Sequence, residues 1–172
     1  GIAGVGANIS NCLVEGQGAD LSSAQISVGG TINTSSGGGI AGTAKGTLEK
    51  CIVRNTTITG VTTASLPIAG VASTFQNNGY AAKCIVSNVL LNGSTIHAVA
   101  GTVANGTGSN SENYVSEIQY CENGSVSSYT PTDNKNSLDG STKKPEDRYE
   151  RFYRARDFDM VNVWKWEDGR PA

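Results

Sequence analysis

A branched apolar residue, an alanine and a glycine recur as a unit along the first hundred residues. The step reads Ile2-Ala3-Gly4, Ile40-Ala41-Gly42, Ile68-Ala69-Gly70 and Val99-Ala100-Gly101, so the copies lie 38, 28 and 31 residues apart. A second signature follows the first three copies: Ile9-x-x-Cys12-Leu13-Val14, Leu48-x-x-Cys51-Ile52-Val53 and Ala81-x-x-Cys84-Ile85-Val86. In the fourth copy Asn113-Tyr114-Val115 stands where cysteine, an apolar residue and valine should be. No single unit of this kind can bury its apolar face alone. A period near 30 with short β-like runs and glycine turns therefore predicts a solenoid, each unit being one turn stacked on the next.

The best-preserved copy, Gly38 to Gly60, resembles the GLUG motif, a repeat of large bacterial surface proteins that include immunoglobulin A-cleaving metallopeptidases and predicted adhesins. The resemblance covers roughly residues 1–120. It departs from the motif where alanine replaces a branched residue after isoleucine, and where insertions part the two signatures in the third and fourth copies. It implies a right-handed β-helix-like stack. It implies no activity, because the motif usually serves as scaffold.

Composition agrees with an all-β solenoid of about four turns. Twenty-two glycines and only 16% charged residues suit short strands and tight turns. The charge is uneven: residues 143–172 hold more than half of the charged side chains, and most of the aromatic rings lie from Tyr149 onward. The expected organisation is repeats over 1–121, a polar loop or linker over 122–144, and a C-terminal capping segment over 145–172. In that last segment a helix is predicted from Pro145 to Arg156, with Tyr149, Phe152 and Tyr153 on one face. A strand is predicted from Val161 to Trp166. A solenoid end left bare offers strand edges for aggregation, so Tyr149, Phe152, Tyr153, Trp164 and Trp166 are expected to cover the last turn. A net charge of −2 gives no footprint for nucleic acid, and no run of residues approaches the length of a membrane span. The abrupt start inside a repeat reads as a fragment of a longer secreted protein.

Cys12, Cys51 and Cys84 share one repeat position, which stacking would bring to about 4.8 Å between adjacent turns. Side chains in such a ladder point in parallel. The reading is a buried column of free thiols, each followed two residues on by an inward valine; a disulfide is the alternative. Leu13, Ile52, Ile85 and Tyr114 then face outward as a candidate contact stripe, meeting the excursion from Glu15 to Ser36 or a partner. His97, the only histidine, is expected on a solvated turn or strand. Carboxylates in the repeats do not recur at equivalent positions, as a glycosidase pair would require. Asp133, Asn136 and Asp139 are expected in a solvated loop rather than a calcium loop. No catalytic, cofactor or metal residue is assigned.

The functional expectation is a non-enzymatic extracellular module of a larger bacterial surface protein. Its partners would be a host glycan or protein and the rest of its own chain. The alternatives are a carbohydrate-active β-helix enzyme and a spacer domain of a surface peptidase.

Overall fold

The computed structural model describes residues 2–6, 8–16, 21, 25–27, 37–60, 67–103, 110–122, 124–143 and 149–172. The chain winds as a β-solenoid. The first coil carries β1 (Ala3–Gly6), β2 (Ile9–Ser10), β3 (Leu13–Glu15) and β4 (Gln25–Ser27). The second carries β5 (Gly37–Gly38), β6 (Ala41–Ala44), β7 (Leu48–Glu49) and β8 (Ile52–Thr59). The third repeats that plan with β9 (Ile68–Ala69), β10 (Ala72–Phe75), β11 (Ala81–Ala82) and β12 (Ile85–Asn92). The fourth has β13 (Ile96–His97), β14 (Ala100–Val103) and β15 (Tyr114–Glu122), with Ser111 making only a single bridge to Ala82. Among the described residues the stack amounts to about three turns rather than four.

Equivalent strands pair in parallel, in the orders β1-β6-β10-β14, β2-β7-β11, β3-β8-β12-β15 and β5-β9-β13. In the first coil an insertion splits the long strand: β3 and β4 both pair with β8, Leu13 opposite Ile52 and Ile26 opposite Ile58.

The register revises the repeat. Ala41 pairs with Ala72 and Ala72 with Ala100, whereas Ile68 pairs with Gly37 and with Ile96. The true partner of Ile40-Ala41-Gly42 in the third coil is thus Val71-Ala72-Ser73, three residues beyond the Ile68-Ala69-Gly70 match. Burial decides this. Ile40, Val71 and Val99 are all fully buried, while the glycines before the first two, Gly39 and Gly70, merely allow the coils to approach. A Cβ on Gly39 would lie 2.3 Å from the carbonyl of Gly70.

Corners repeat as faithfully as strands. Asn11, Lys50, Lys83 and Glu112 occupy one corner with φ of 54°, 54°, 54° and 53°; Asn55, Asn88 and Glu117 occupy another at 53°, 49° and 56°. Left-handed non-glycine residues are uncommon, and a column of them holds its conformation because the stacked neighbours impose it. Inside, Leu48, Cys51, Val53, Ile58, Phe75, Cys84, Val86, Val89, Leu91, Val99 and Val115 form one continuous apolar column.

The segment read as a polar linker, 122–144, closes the end of the stack instead. β16 (Ser125–Ser128) folds back antiparallel on β15, and β17 (Ser141–Thr142) pairs with Tyr114 and Val115. Between them the carbonyl of Leu138 accepts from the N–H groups of Val99 and Ala100 at 3.0 and 2.9 Å, as another coil would. Its polar composition hid this because most of the pairing is made by backbone.

Downstream, α1 (Glu150–Arg154) is followed by a turn and by the hairpin of β18 (Trp166–Glu167) and β19 (Arg170–Pro171). Asp168 and Gly169 both have positive φ, 49° and 77°, the backbone of a tight two-residue hairpin turn. Of the predicted helix, 145–148 lie outside the described residues. The predicted strand from Val161 to Trp166 is corrected. Asp159 Oδ1 accepts from the N–H of Val161 and of Asn162, both at 3.0 Å, and the resulting turn leaves Val161 and Val163 exposed.

Candidate functional site: a sealed stripe and an open groove

Each sequence-predicted set has a definite place. Cys12 is half-buried and Cys51 and Cys84 are buried; all three are free thiols, as is Cys121 off the ladder. Their sulfurs donate to backbone carbonyls, Cys51 to Glu49 at 3.4 Å and Cys84 to Leu48 at 3.3 Å. Burial raises the pKa of Cys84 well above its ordinary value, so that thiol stays protonated. Val53, Val86 and Val115 point inward two residues after the ladder position, and Val14 packs on the same core.

Leu13, Ile52, Ile85 and Tyr114 stand in register on the outer side of the same strands. They are not a bare contact surface. Ile52 and Ile85 are only 1% exposed, because Phe152, Tyr153, Phe158, Met160 and Trp164 cover them. The aromatic tail therefore seals the flank of the solenoid, not its end, which corrects the expected cap. The rings meet edge to face, Tyr114 with Phe152 at 5.0 Å and Tyr153 with Phe158 at 5.6 Å. Arg156 lies over both Phe152 and Tyr114, at 3.6 and 4.2 Å from the ring centroids. Trp166 is half-buried against the cluster, and Tyr149 is exposed, its ring under Arg151.

A cation–π contact and two ion pairs tie this strap to coil after coil. Arg156 sits on the fourth coil through Tyr114, Asp157 pairs with Lys83 of the third, and Arg170 reaches Glu15 of the first at 3.4 Å. Glu15 also grips the buried Arg54 of the second coil at 2.8 Å; that hydrogen bond and charge lower its pKa despite partial burial.

At the end of the stack, sequence reading missed a polar hub. Asp139 is buried, and its carboxylate meets His97 Nδ1 at 3.2 Å, the Ala98 N–H at 3.2 Å, the Tyr129 hydroxyl at 2.8 Å and the Thr132 hydroxyl at 2.6 Å. Burial alone would raise its pKa. The bonds from His97, Thr132, Tyr129 and Ala98 outweigh that and hold it well below the usual carboxylate range. Burial, reinforced by the Asp139 charge, pushes the Tyr129 phenol above its ordinary value. With every partner satisfied, the arrangement acts as a strut pinning the closing segment to the fourth coil. His97 and Asp139 are 42 residues apart and no short motif joins them.

Beside the hub, Tyr129 meets Tyr120 edge to face at 6.3 Å, and the two rings border a groove of about 890 Å³. Among the described residues no group of three or more His, Cys, Asp or Glu side chains is placed to hold a metal ion. None of the described helices is long and apolar enough to cross a membrane. No protein-family model, curated protein or solved structure matches the chain.

Proposed function

We propose that the chain is a non-enzymatic structural and adhesive module of a larger extracellular bacterial surface protein, built from GLUG-type repeats. The observation that carries this reading is the seal. The strap contacts all four coils and leaves Ile52 and Ile85 almost wholly covered. A flank closed by its own chain gives a stiff rod with little apolar surface to aggregate, which is what a stalk or an adhesive segment outside a cell requires. Ligand contact then falls to the polar end and to the loops, where binding residues commonly sit on rigid scaffolds.

The test is adherence. Beads coated with the full chain should bind saturably to host cells or to immobilised host glycans and matrix proteins. Depolymerisation of any member of a polysaccharide panel by the purified chain would replace this reading with the carbohydrate-active enzyme.

A further inference from the structure

The end of the stack is closed unevenly. Over the β14 side, Leu138 takes the place of a further coil. Over the opposite side no such residue is present among those described. Tyr120 stands in register with Leu91 and Ile58, which are fully buried, yet its own ring stays half-buried. A groove of about 890 Å³ opens there, between the Asn92–Ile96 turn and the β15–β16 hairpin. That size falls in the range of about 300–1,000 Å³ typical of small-molecule clefts.

Its lining is mixed. Tyr120 and Tyr129 supply ring surface, Asn92, Ser128 and Thr130 supply amide and hydroxyl groups, and Glu122 supplies a carboxylate. Of the described side chains that line it, Glu122 alone is charged, so an anionic ligand would find no counter-charge. The aromatic wall is pre-set. Tyr129 is fixed at its hydroxyl by Asp139 at 2.8 Å and at its backbone N–H by the Ile118 carbonyl at 2.9 Å. Little side-chain freedom is then lost on binding.

We propose that this groove binds a neutral saccharide, one pyranose ring lying against Tyr120 and Tyr129. Asn92, Glu122, Ser128 and Thr130 are placed around it to hydrogen-bond the hydroxyls. Flat rings flanked by amides, hydroxyls and a carboxylate match a ligand whose ring faces are C–H and whose rim is O–H. The inference rests on the adhesive reading for the class of partner, and on the groove for where the contact is made.

The experiment is calorimetric titration of the full chain with neutral hexose and N-acetylhexosamine oligosaccharides, and in parallel with sulfated and uronate oligosaccharides. A neutral oligosaccharide should bind, and Tyr120→Ala should weaken it about tenfold or more. Since Tyr120 also packs on the core, Ser128→Trp is the companion variant. It fills the groove from an exposed position and should abolish binding without lowering the melting temperature. Binding that survives Ser128→Trp overturns the groove while leaving the adhesive reading intact. Preference for the anionic sugars overturns the ligand class. Cell adherence without saccharide binding overturns this inference alone; a chain that neither binds saccharides nor adheres overturns both.

Discussion

Asn113 stands where a fourth ladder cysteine would be, and it changes what the column does at its end. It is fully buried; its Oδ1 accepts from the Cys84 N–H at 2.9 Å and its Nδ2 donates to the Ala81 carbonyl at 2.9 Å. One amide thus satisfies a donor and an acceptor of the coil below. Asn113→Ala should cost about 1–3 kcal/mol, since the buried Cys84 N–H loses its partner, while the Ala81 carbonyl keeps the Ser111 N–H at 3.0 Å. Chemical denaturation measures it, and a loss under about 1 kcal/mol would mean that water replaces the amide. In the ladder itself, Cys51→Ser places a hydroxyl in an apolar column and should destabilise by about 1–3 kcal/mol. Cys51 and Cys84 should resist alkylation in the native chain and react once it is denatured; ready native labelling would contradict the buried thiols. Asp139 carries the pH dependence. Its folded pKa lies below the unfolded value near 3.8, so its contribution is complete above that value and is lost as pH falls towards the folded pKa. The melting temperature of the wild-type chain should therefore drop as pH falls below about 4, whereas Asp139→Asn should melt lower at neutral pH and vary less with acid. Equal slopes for the two would remove Asp139 from the account.

Among the elements, the strap is an addition to a unit that already has its own core. The inner column and the lateral cluster are separate, joined only through the thickness of β3, β8, β12 and β15. Ending the chain at residue 148 should leave the coils wound but uncover the stripe of Leu13, Ile52, Ile85 and Tyr114. Light scattering should then show association, and a hydrophobic dye should bind. A monomer as stable as the full chain would make the strap an appendage. What could be read in the sequence follows the same division. Stacking in parallel brings identical repeat positions together, so a cysteine every turn predicts a column, and a branched residue beside it predicts a stripe. Segments without a period carry no such signal. The aromatic tail revealed that it covers something, but whether flank or end depends on Arg156 meeting Tyr114 and Arg170 meeting Glu15. The pairing of His97 with Asp139 is likewise a product of the whole winding. Even within the repeat, the short Ile-Ala-Gly step misled by three residues, because Ile68 and Val71 are both buried and both followed by alanine.

For the whole molecule, stability in a solenoid is a sum over neighbours, and such stacks tend to fray from their ends. Here the strap links the first coil to the fourth, so opening should be concerted. Hydrogen exchange should give the backbone of β8, β12 and β15 similar protection, and losing the strap should grade it along the stack. A gradient in the intact chain would argue that the strap couples nothing. The strap has one more effect, on lineage rather than on stability. It works as a gauge. Solenoids lengthen by duplicating a unit, and each added coil would move Glu15 about 4.8 Å farther from the fourth coil while the strap kept its length. Arg170 would fall short, and one stretch of Leu13, Ile52, Ile85 or their new copy would be left uncovered. A descendant with one coil more must lengthen its tail in the same step or tolerate a bare flank, so the number of coils and the length of the tail are inherited together.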